Sequence, residues 1–360
     1  MLGAGKFRFS IFYKILTTML LVAMIPLVAI WYINYQTAEK HLTQNVQQRL
    51  GGISDKLTAV VNDWVSANHK ALLQNGALPE MASMNARIHN PVLRTVLNEY
   101  AWSYLVFTIR PDGMNVGRSD GKEPIDYSDR IYFKQVMDGA PLGKQVVISK
   151  TTGKPSLILS APIHGPNRNL AGVIAMGTSL TDISETITKA GIGTTGYAFL
   201  LDQDGKVVAH QKQEYTATMA DLSKHPAFLG RSNDPARVVI FDEDGRKVIA
   251  HAQKTKQGWT LVAQQDHDEA FRALSEANRN AMILLAITLV IVSYVAYLLA
   301  QRLSKPIRNL TLIADEISRG QLDIKIQEVN RRDEIGALAA AIERMGVSIR
   351  MSLQKLRARA

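Results

Sequence analysis

Cysteine is absent from the 360 residues. That excludes a disulfide framework, a thiolate metal site and a thiol nucleophile, and it leaves an extracytoplasmic place open. Catalytic signatures are missing too. No G-x-S-x-G elbow and no phosphate-binding P-loop occurs, and the eight histidines never fall into H-E-x-x-H or H-x-x-E-H spacing. Asp202-Gln-Asp204-Gly205 and Asp242-Glu-Asp244-Gly245 start like calcium loops, but neither reaches a Glu at the twelfth position, so both read as hairpin turns. No enzyme activity, cofactor or metal is expected from these residues.

What the chain does have is charge-free length. Residues Ile15 to Ile33 and Ala281 to Ala300 carry no charged side chain. Each approaches the ~20 residues that cross ~30 Å of hydrocarbon at 1.5 Å per residue. Pro26 is tolerable inside a membrane helix, and Trp31, Tyr32 and Tyr35 sit where interfacial aromatics sit. The net charge of +10 could point to nucleic acid or to anionic lipid, and position decides for lipid. Lys6, Arg8 and Lys14 precede the first span, and Arg302, Lys305 and Arg308 follow the second. Both termini are therefore expected in the cytoplasm, with residues 34–280 outside. A cleaved signal peptide would also begin basic, but the apolar run is long and no A-x-A-like site closes it, so an uncleaved anchor is expected. The expected layout is a cytoplasmic N-terminus at 1–14, spans at 15–33 and 281–300, an external part at 34–280, a helical relay at 301–356 and a basic tail at 357–360.

Within the external part, Leu42, Val46, Leu50, Ile53, Leu57, Val60, Val61 and Trp64 recur at helical spacing. The spacing predicts one long helix leaving the membrane, weakest at Gly51-Gly52, and a second helix around Val92–Tyr100. Strand-like runs follow at 104–110, 146–149, 157–163 and 170–177, closed by a short helix around Thr181–Ala190. A second series follows at 197–201, 207–211, 238–241, 248–252 and 259–264. FTIRPDGMNVG, FLLDQDGKVVAH and IFDEDGRKVIAHA each read strand, Asp-Gly turn, strand. The expected fold class is α+β: two related antiparallel-sheet modules on one stalk helix, about 60–190 and about 191–270.

The segments DYSDRIYFKQVMDG (126–139), VVISKTTGKPSLILSAPI (146–163), LAGVIAMGTSL (170–180), GTTGYAFLLDQDGKVVAH (193–210) and GWTLVAQQ (258–265) resemble the double-Cache sensors of bacterial receptors. The resemblance implies two PAS-like modules and a ligand pocket in the membrane-distal one. Carried onto this sequence, it makes Arg130, Tyr132, Tyr127, Phe133 and Gly177 the candidate ligand-binding residues. An arginine fork matches a carboxylate bidentately, so a small carboxylate ligand is expected; the alternative is that Arg130 pairs with Asp126 or Asp129 and only holds a helix N-terminus. Amino-acid-binding members resemble R-x-W-Y where this chain has Arg130-Ile131-Tyr132-Phe133. They also place an Asp for the ligand ammonium where this chain has Gly177. An organic acid without an amine therefore fits better, with a nucleobase or another metabolite left open.

Residues 301–360 carry two heptad seams. The first is Ile307, Leu310, Ala314 and Ile317; the second is Ile335, Leu338, Ile342, Met345 and Ile349, extended by Leu353 and Leu356. Pro306 is expected to open the first helix and Gly320 to end it, with Leu322, Ile324, Ile326 and Val329 in the connector. This pattern, with Pro306, Gly320, Glu334 and Gly336 as its marks, resembles a HAMP domain. The resemblance implies a parallel four-helix bundle in a homodimer. The expected protein is a receptor that hands its signal to a cytoplasmic effector in trans. The alternatives are the input half of a longer chemoreceptor, sensor kinase or diguanylate cyclase, and a solute-binding accessory or scaffold of a transporter. Arg350, Lys355, Arg357 and Arg359 would face a partner or the anionic leaflet. No nucleic acid is expected as a partner.

Overall fold

The computed structural model describes residues 10–231, 234, 237–321 and 323–357, apart from the side chains of residues 181, 182 and 353–357. Lys6, Arg8, Leu322 and Arg359 lie outside the described residues, as do the side chains of Leu353, Lys355, Leu356 and Arg357. The described chain falls into two compact units, residues 40–273 and residues 1–39 with 274–360.

In the first of these units the helix α1 (Ile11–Gly76) supplies the spine. It runs unbroken through Gly51-Gly52, because Gly51 is buried in packing that offsets the low helix propensity of glycine. Val46, Leu50, Leu57, Val61, Val65 and Leu72 form its buried stripe, and Val60 is exposed. After a 3₁₀ turn at Pro79–Ser83, α2 (Ala86–Glu99) begins six residues before the predicted start, capped by the Asn85 side chain on the Arg87 N–H at 3.0 Å.

Two five-stranded antiparallel sheets follow. The first module has β1 (Ser103–Ile109), β2 (Asn115–Arg118), β3 (Gly143–Ile148), β4 (Pro155–His164) and β5 (Leu170–Ser179) in the order β2-β1-β5-β4-β3. The second has β6 (Tyr197–Leu201), β7 (Val207–Ala209), β8 (Val238–Glu243), β9 (Arg246–Lys254) and β10 (Thr260–Asp266) in the order β7-β6-β10-β9-β8. The sequence rules are the same in both: β-branched and aromatic runs separated by Asp-Gly or Thr-Gly turns. α4 (Leu180–Thr188) links the modules.

Each sheet buries both faces, so β1 and β10 are buried at nearly every position rather than at alternate ones. One face carries Leu157, Leu159, Ile174 and Met176 from the first sheet and Leu200, Ile249 and Leu261 from the second, in a single core with the α1 stripe. Each such side chain contributes ~1.5–3 kcal/mol on burial. The opposite faces form separate cores, around Phe107, Tyr132 and Val173 in the first module and Phe199, Phe228 and Val262 in the second.

In the other unit, Trp31 donates to Asn278 at 3.2 Å, and Phe12 meets Tyr297 edge-on at 5.8 Å. α1 and α8 (Arg272–Ser318) are both long and apolar enough to cross a membrane. Pro306 does not open a helix; it lies inside α8. Good helix formers flank it on both sides, and the one backbone bond it removes leaves the carbonyl of exposed Arg302 to solvent. Gly320 ends α8 with φ +92°; its N–H donates to Ile317 and that of Gln321 to Glu316, a Schellman turn.

The connector runs on through a 3₁₀ turn at Gln327–Asn330 to α9 (Glu334–Arg357). Asp333 accepts from the Gly336 N–H at 3.0 Å, and a Cβ at Gly336 would lie 2.1 Å from the Arg331 carbonyl oxygen. Arg331 forks onto Asp333 and holds its carboxyl low, at about 2. The second seam differs from expectation. Within one chain, Ile335, Ala339 and Ile342 meet Leu310, Ile317 and Ile326, while Leu338, Met345 and Ile349 are exposed. The first seam is packed along its length, with Leu310 and Ile317 buried and Ile307 and Ala314 partly buried against them.

Candidate functional site

The core of the first module that faces away from α1 contains a cavity. β1 brings Tyr104, Leu105 and Phe107, the approach to α3 (Ile131–Met137) brings Tyr127, Arg130 and Tyr132, and the β3–β4 hairpin brings Val147 to Thr151. Its volume is about 10 Å³, room for about one water.

The turn before α3 is rigidly built. Asp126 accepts from the Ser128 N–H at 2.8 Å, and the Tyr127 N–H donates to Gly113 at 2.9 Å. Gly113 has φ +91°, and a Cβ there would stand 2.4 Å from that of Ser128, so glycine is required on two grounds. α3 is held by its neighbours: Gln145 accepts from the Ile131 N–H at 3.0 Å, and Ser160 donates to the Tyr132 carbonyl at 2.8 Å.

Those contacts decide the role of Arg130. It occupies the N-cap position of α3 but makes no capping bond. Gln145 caps the first turn instead. Asp129 is held by Lys150 at 2.6 Å, which keeps its carboxyl low. Arg130 reaches Asp129 only through Nε at 3.6 Å. Among the described residues its guanidinium makes no hydrogen bond, although its side chain is 15% exposed. A mostly buried fork of unused donors beside a cavity has the form of an anion site. Lys150 also lines the cavity, and no carboxylate does.

Arg118 was missed in the sequence reading. It is the largest fully buried side chain of the described residues, forking onto Asp120 with both bonds at 2.8 Å and donating to Tyr127 Oη and Thr151 Oγ1 at 3.2 Å each. Burial pushes the Asp120 carboxyl up, the Arg118 bonds pull it down, and the bonds win. The available signal was Arg-x-Asp directly after a short strand, a spacing at which one guanidinium and one carboxylate lie on the same side.

Tyr127, Arg130 and Tyr132 are brought together on the cavity wall; burial pushes the Tyr132 hydroxyl far up, so it stays a neutral donor. Phe133 packs into the core beside them and does not line the cavity. Gly177 lies on the same sheet face without lining it, paired with Leu105. A Cβ at Gly177 would fall 2.7 Å from both Cζ and Oη of Tyr104. The place where the family resemblance would seat an ammonium-binding carboxylate is thus filled by a neutral phenol, whose pKa burial raises.

No group of three or more His, Asp or Glu that could hold a metal occurs among the described residues. Asp202 instead ties its own hairpin, accepting from the N–H groups of Asp204 and Lys206 at 2.9 Å each.

Residues 34–274 match the profile of the Cache domain, and residues 298–351 that of the HAMP domain. Curated relatives include the methyl-accepting chemotaxis protein TlpA of Bacillus subtilis, 25% identical over 95% of this chain and 52% of that protein. Another is PctB of Pseudomonas aeruginosa, 23% identical over 96% of this chain and 55% of that protein. The chain spans about half the length of these relatives. Among solved structures, the ligand-binding domain of the Pseudomonas fluorescens chemoreceptor CtaA with L-isoleucine matches at TM-score 0.54, with 17% identity over 66% of this chain and 99% of that one. That of Campylobacter jejuni Tlp3 with L-norvaline matches at TM-score 0.52, with 14% identity over 64% and 94%. These likenesses show the fold of about two thirds of the chain. The chain belongs to the Cache-domain family and carries a HAMP domain after it.

Proposed function

We propose that this chain is the sensing and relaying part of a chemotaxis-type transmembrane receptor, a receptor rather than an enzyme, that binds a small carboxylate in the cavity of its first module. Residues 15–33 and 281–300 are its spans, 34–280 face outside and both termini are cytoplasmic. The observation that carries the ligand reading is Arg130: a mostly buried guanidinium with unspent donors, beside Lys150, on a wall without carboxylates. CtaA and Tlp3 were solved with L-amino acids, which share the carboxylate. In this chain Tyr104 stands over Gly177 where an ammonium partner would be needed, so the favoured ligands are organic acids lacking an amine.

A cavity of about 10 Å³ admits such a molecule only when the Ile148–Thr151 edge moves outward. Binding therefore selects a shifted arrangement, which is what a receptor needs. The shift passes through the second span to residues 301–356, which work as a bistable parallel bundle in a homodimer. The exposed Leu338, Met345 and Ile349 are the seam such a dimer would cover. Arg302, Lys305 and Arg308 sit at the anionic leaflet, and the response is made by a cytoplasmic effector.

Calorimetric titration of the full chain in lipid nanodiscs tests the ligand reading, pairing amino acids with the 2-hydroxy acids of the same side chain. The acids bind at least tenfold tighter than their amino counterparts, and Arg130→Ala abolishes binding. Tighter amino-acid binding removes the amine-free reading, and unchanged affinity in Arg130→Ala removes the site. Because the chain has no Cys, Met345→Cys gives a clean cross-linking background. Absence of a cross-linked dimer in membranes would remove the bundle.

A further inference from the structure

The second module repeats the first more deeply than its strand order. DYSDRIYF (126–133) lines up with DLSKHPAF (221–228), sharing Asp, Ser and Phe. The backbone repeats with it. Ser223 N–H donates to Asp221 at 2.9 Å, as Ser128 does to Asp126 at 2.8 Å. Leu222 N–H donates to Gly205 at 2.8 Å, as Tyr127 does to Gly113 at 2.9 Å. Gly205 has φ +84°, and a Cβ there would stand 2.5 Å from Ser223 Cα. In this register His225, the N-cap of α6 (Pro226–Leu229), stands where Arg130 does, and His210, five residues after Gly205, stands where Arg118 stands five after Gly113.

Both arginines have thus become imidazoles. His210 accepts the Lys212 N–H on Nδ1 at 2.9 Å, which requires that nitrogen to be unprotonated, and it lies edge-on to Tyr197 and tilted against Tyr215. His225 Nε2 lies 3.3 Å from Glu243. Glu243 also accepts from Gln264 at 2.8 Å, and Gln264 donates in turn to Tyr197 Oη at 2.9 Å.

Around Glu243 lies a cavity of about 220 Å³, far larger than the one in the first module. Like the first, it draws on the first strand of its sheet, β6, and on the hairpin between β8 and β9; unlike the first, it takes Gln211 and Lys212 after β7 and the end of β10 in place of the turn before α6. Its charges are three carboxylates, Glu243, Asp244 and Asp266, against Lys212 and Arg246. Both cations are exposed, at 57% and 66%, and so is Asp244, at 73%, while Glu243 and Asp266 are only 33% and 23% exposed. Solvent screens the exposed charges more than the sheltered ones, so the field inside is negative.

We infer that the second module holds its own small-molecule site, of opposite charge to the first, which takes a small primary or quaternary amine with its cation on Glu243 and its body against Tyr197 and Val248. Aromatic and carboxylate walls together are the usual receptor for such groups. This site does not depend on the carboxylate reading of the first module, because none of its residues lines that cavity.

The test is calorimetric titration of the full chain in nanodiscs with ethanolamine, 1,4-diaminobutane and choline. At least one binds saturably with one site per chain. Glu243→Gln weakens it at least tenfold, and Arg130→Ala changes it less than twofold. Asp244→Asn, at an exposed position and therefore safe for folding, weakens it about threefold and stands as the readout if Glu243→Gln melts early. No saturable binding by any of the three amines, affinity unchanged in both carboxylate variants, or preferential filling of this cavity by small carboxylates would each overturn the inference.

Discussion

The two modules of residues 40–273 share a strand order, an Asp-x-Ser turn and a glycine locked against that turn, yet they place opposite charges around their cavities. The first buries Arg118 and Arg130 and has no carboxylate on its cavity wall. The second has His210 and His225 at the matching places and Glu243 at its centre. The first cavity is small and the second is roomy. The two modules share a backbone scaffold and differ in the charged groups around their cavities, so the turn residues serve the fold in both while the cavity charges vary independently of it.

The largest effect expected along this comparison is at Arg118. Replacing it by Ala leaves the Asp120 carboxylate, 18% exposed, without its guanidinium and takes donors from Tyr127 and Thr151. A loss of about 3 kcal/mol is expected in denaturant unfolding, because a buried charge is left without its partner. His210→Ala, which removes a neutral imidazole, should cost clearly less; equal losses would break the contrast between the two positions.

Next come the paired glycines. Gly113→Val and Gly205→Val should each cost about 2–3 kcal/mol, since each combines a positive φ with a Cβ inside contact distance. Tolerance at one and not the other would show that the two turns are not equivalent. Gly177→Ala should cost about 1–2 kcal/mol, the movable Tyr104 ring absorbing part of the clash. A neutral result in thermal melts would mean that Tyr104 does not fill that space in solution.

The smallest effect is in pH dependence. Burial, and after it the Lys212 charge, lowers the His210 pKa from 6.5 to about 4. Between those values the unfolded chain binds a proton that the folded chain refuses, so stability is full above 6.5 and is lost as pH falls toward 4, by at most ~1.4 kcal/mol per pH unit. His210→Asn keeps an acceptor for the Lys212 N–H and should flatten that slope in melts across this window. Arg118→Ala should act in the opposite sense, because burial then pushes the Asp120 carboxyl up and its protonation adds stability as pH falls.

Much of this was legible in the residues. The helical stripe of α1, the ten-strand rhythm, the two charge-free segments and the heptad seams all express local periodicity, which a sequence carries openly. Less legible were features decided by neighbours far along the chain. The start of α2 six residues early, the continuity of α8 through Pro306 and the use of Ala339 in place of Leu338 depend on packing that no short window shows. At the candidate site the sequence pointed to Arg130, Tyr127 and Tyr132 but missed Arg118, whose role depends on Tyr127 and Thr151 lying beside it. It also read three Asp-Gly repeats as one pattern, whereas the third is the β8–β9 hairpin, whose counterpart is the Thr-Gly turn between β3 and β4.

By itself, then, the sequence determined the fold class, the two long apolar segments, the two-module plan and the HAMP domain, because hydrophobic period, turn chemistry and charge placement are local properties. Only the tertiary structure decided which charges remain unspent. Lys150 takes Asp129 and Gln145 caps α3, so the Arg130 guanidinium is left without a hydrogen bond; Tyr104 fills the space over Gly177; Glu243 lines a cavity with Gln264 and the His225 ring at its carboxylate. Each of those outcomes is a competition among partners that only folding brings within hydrogen-bond reach.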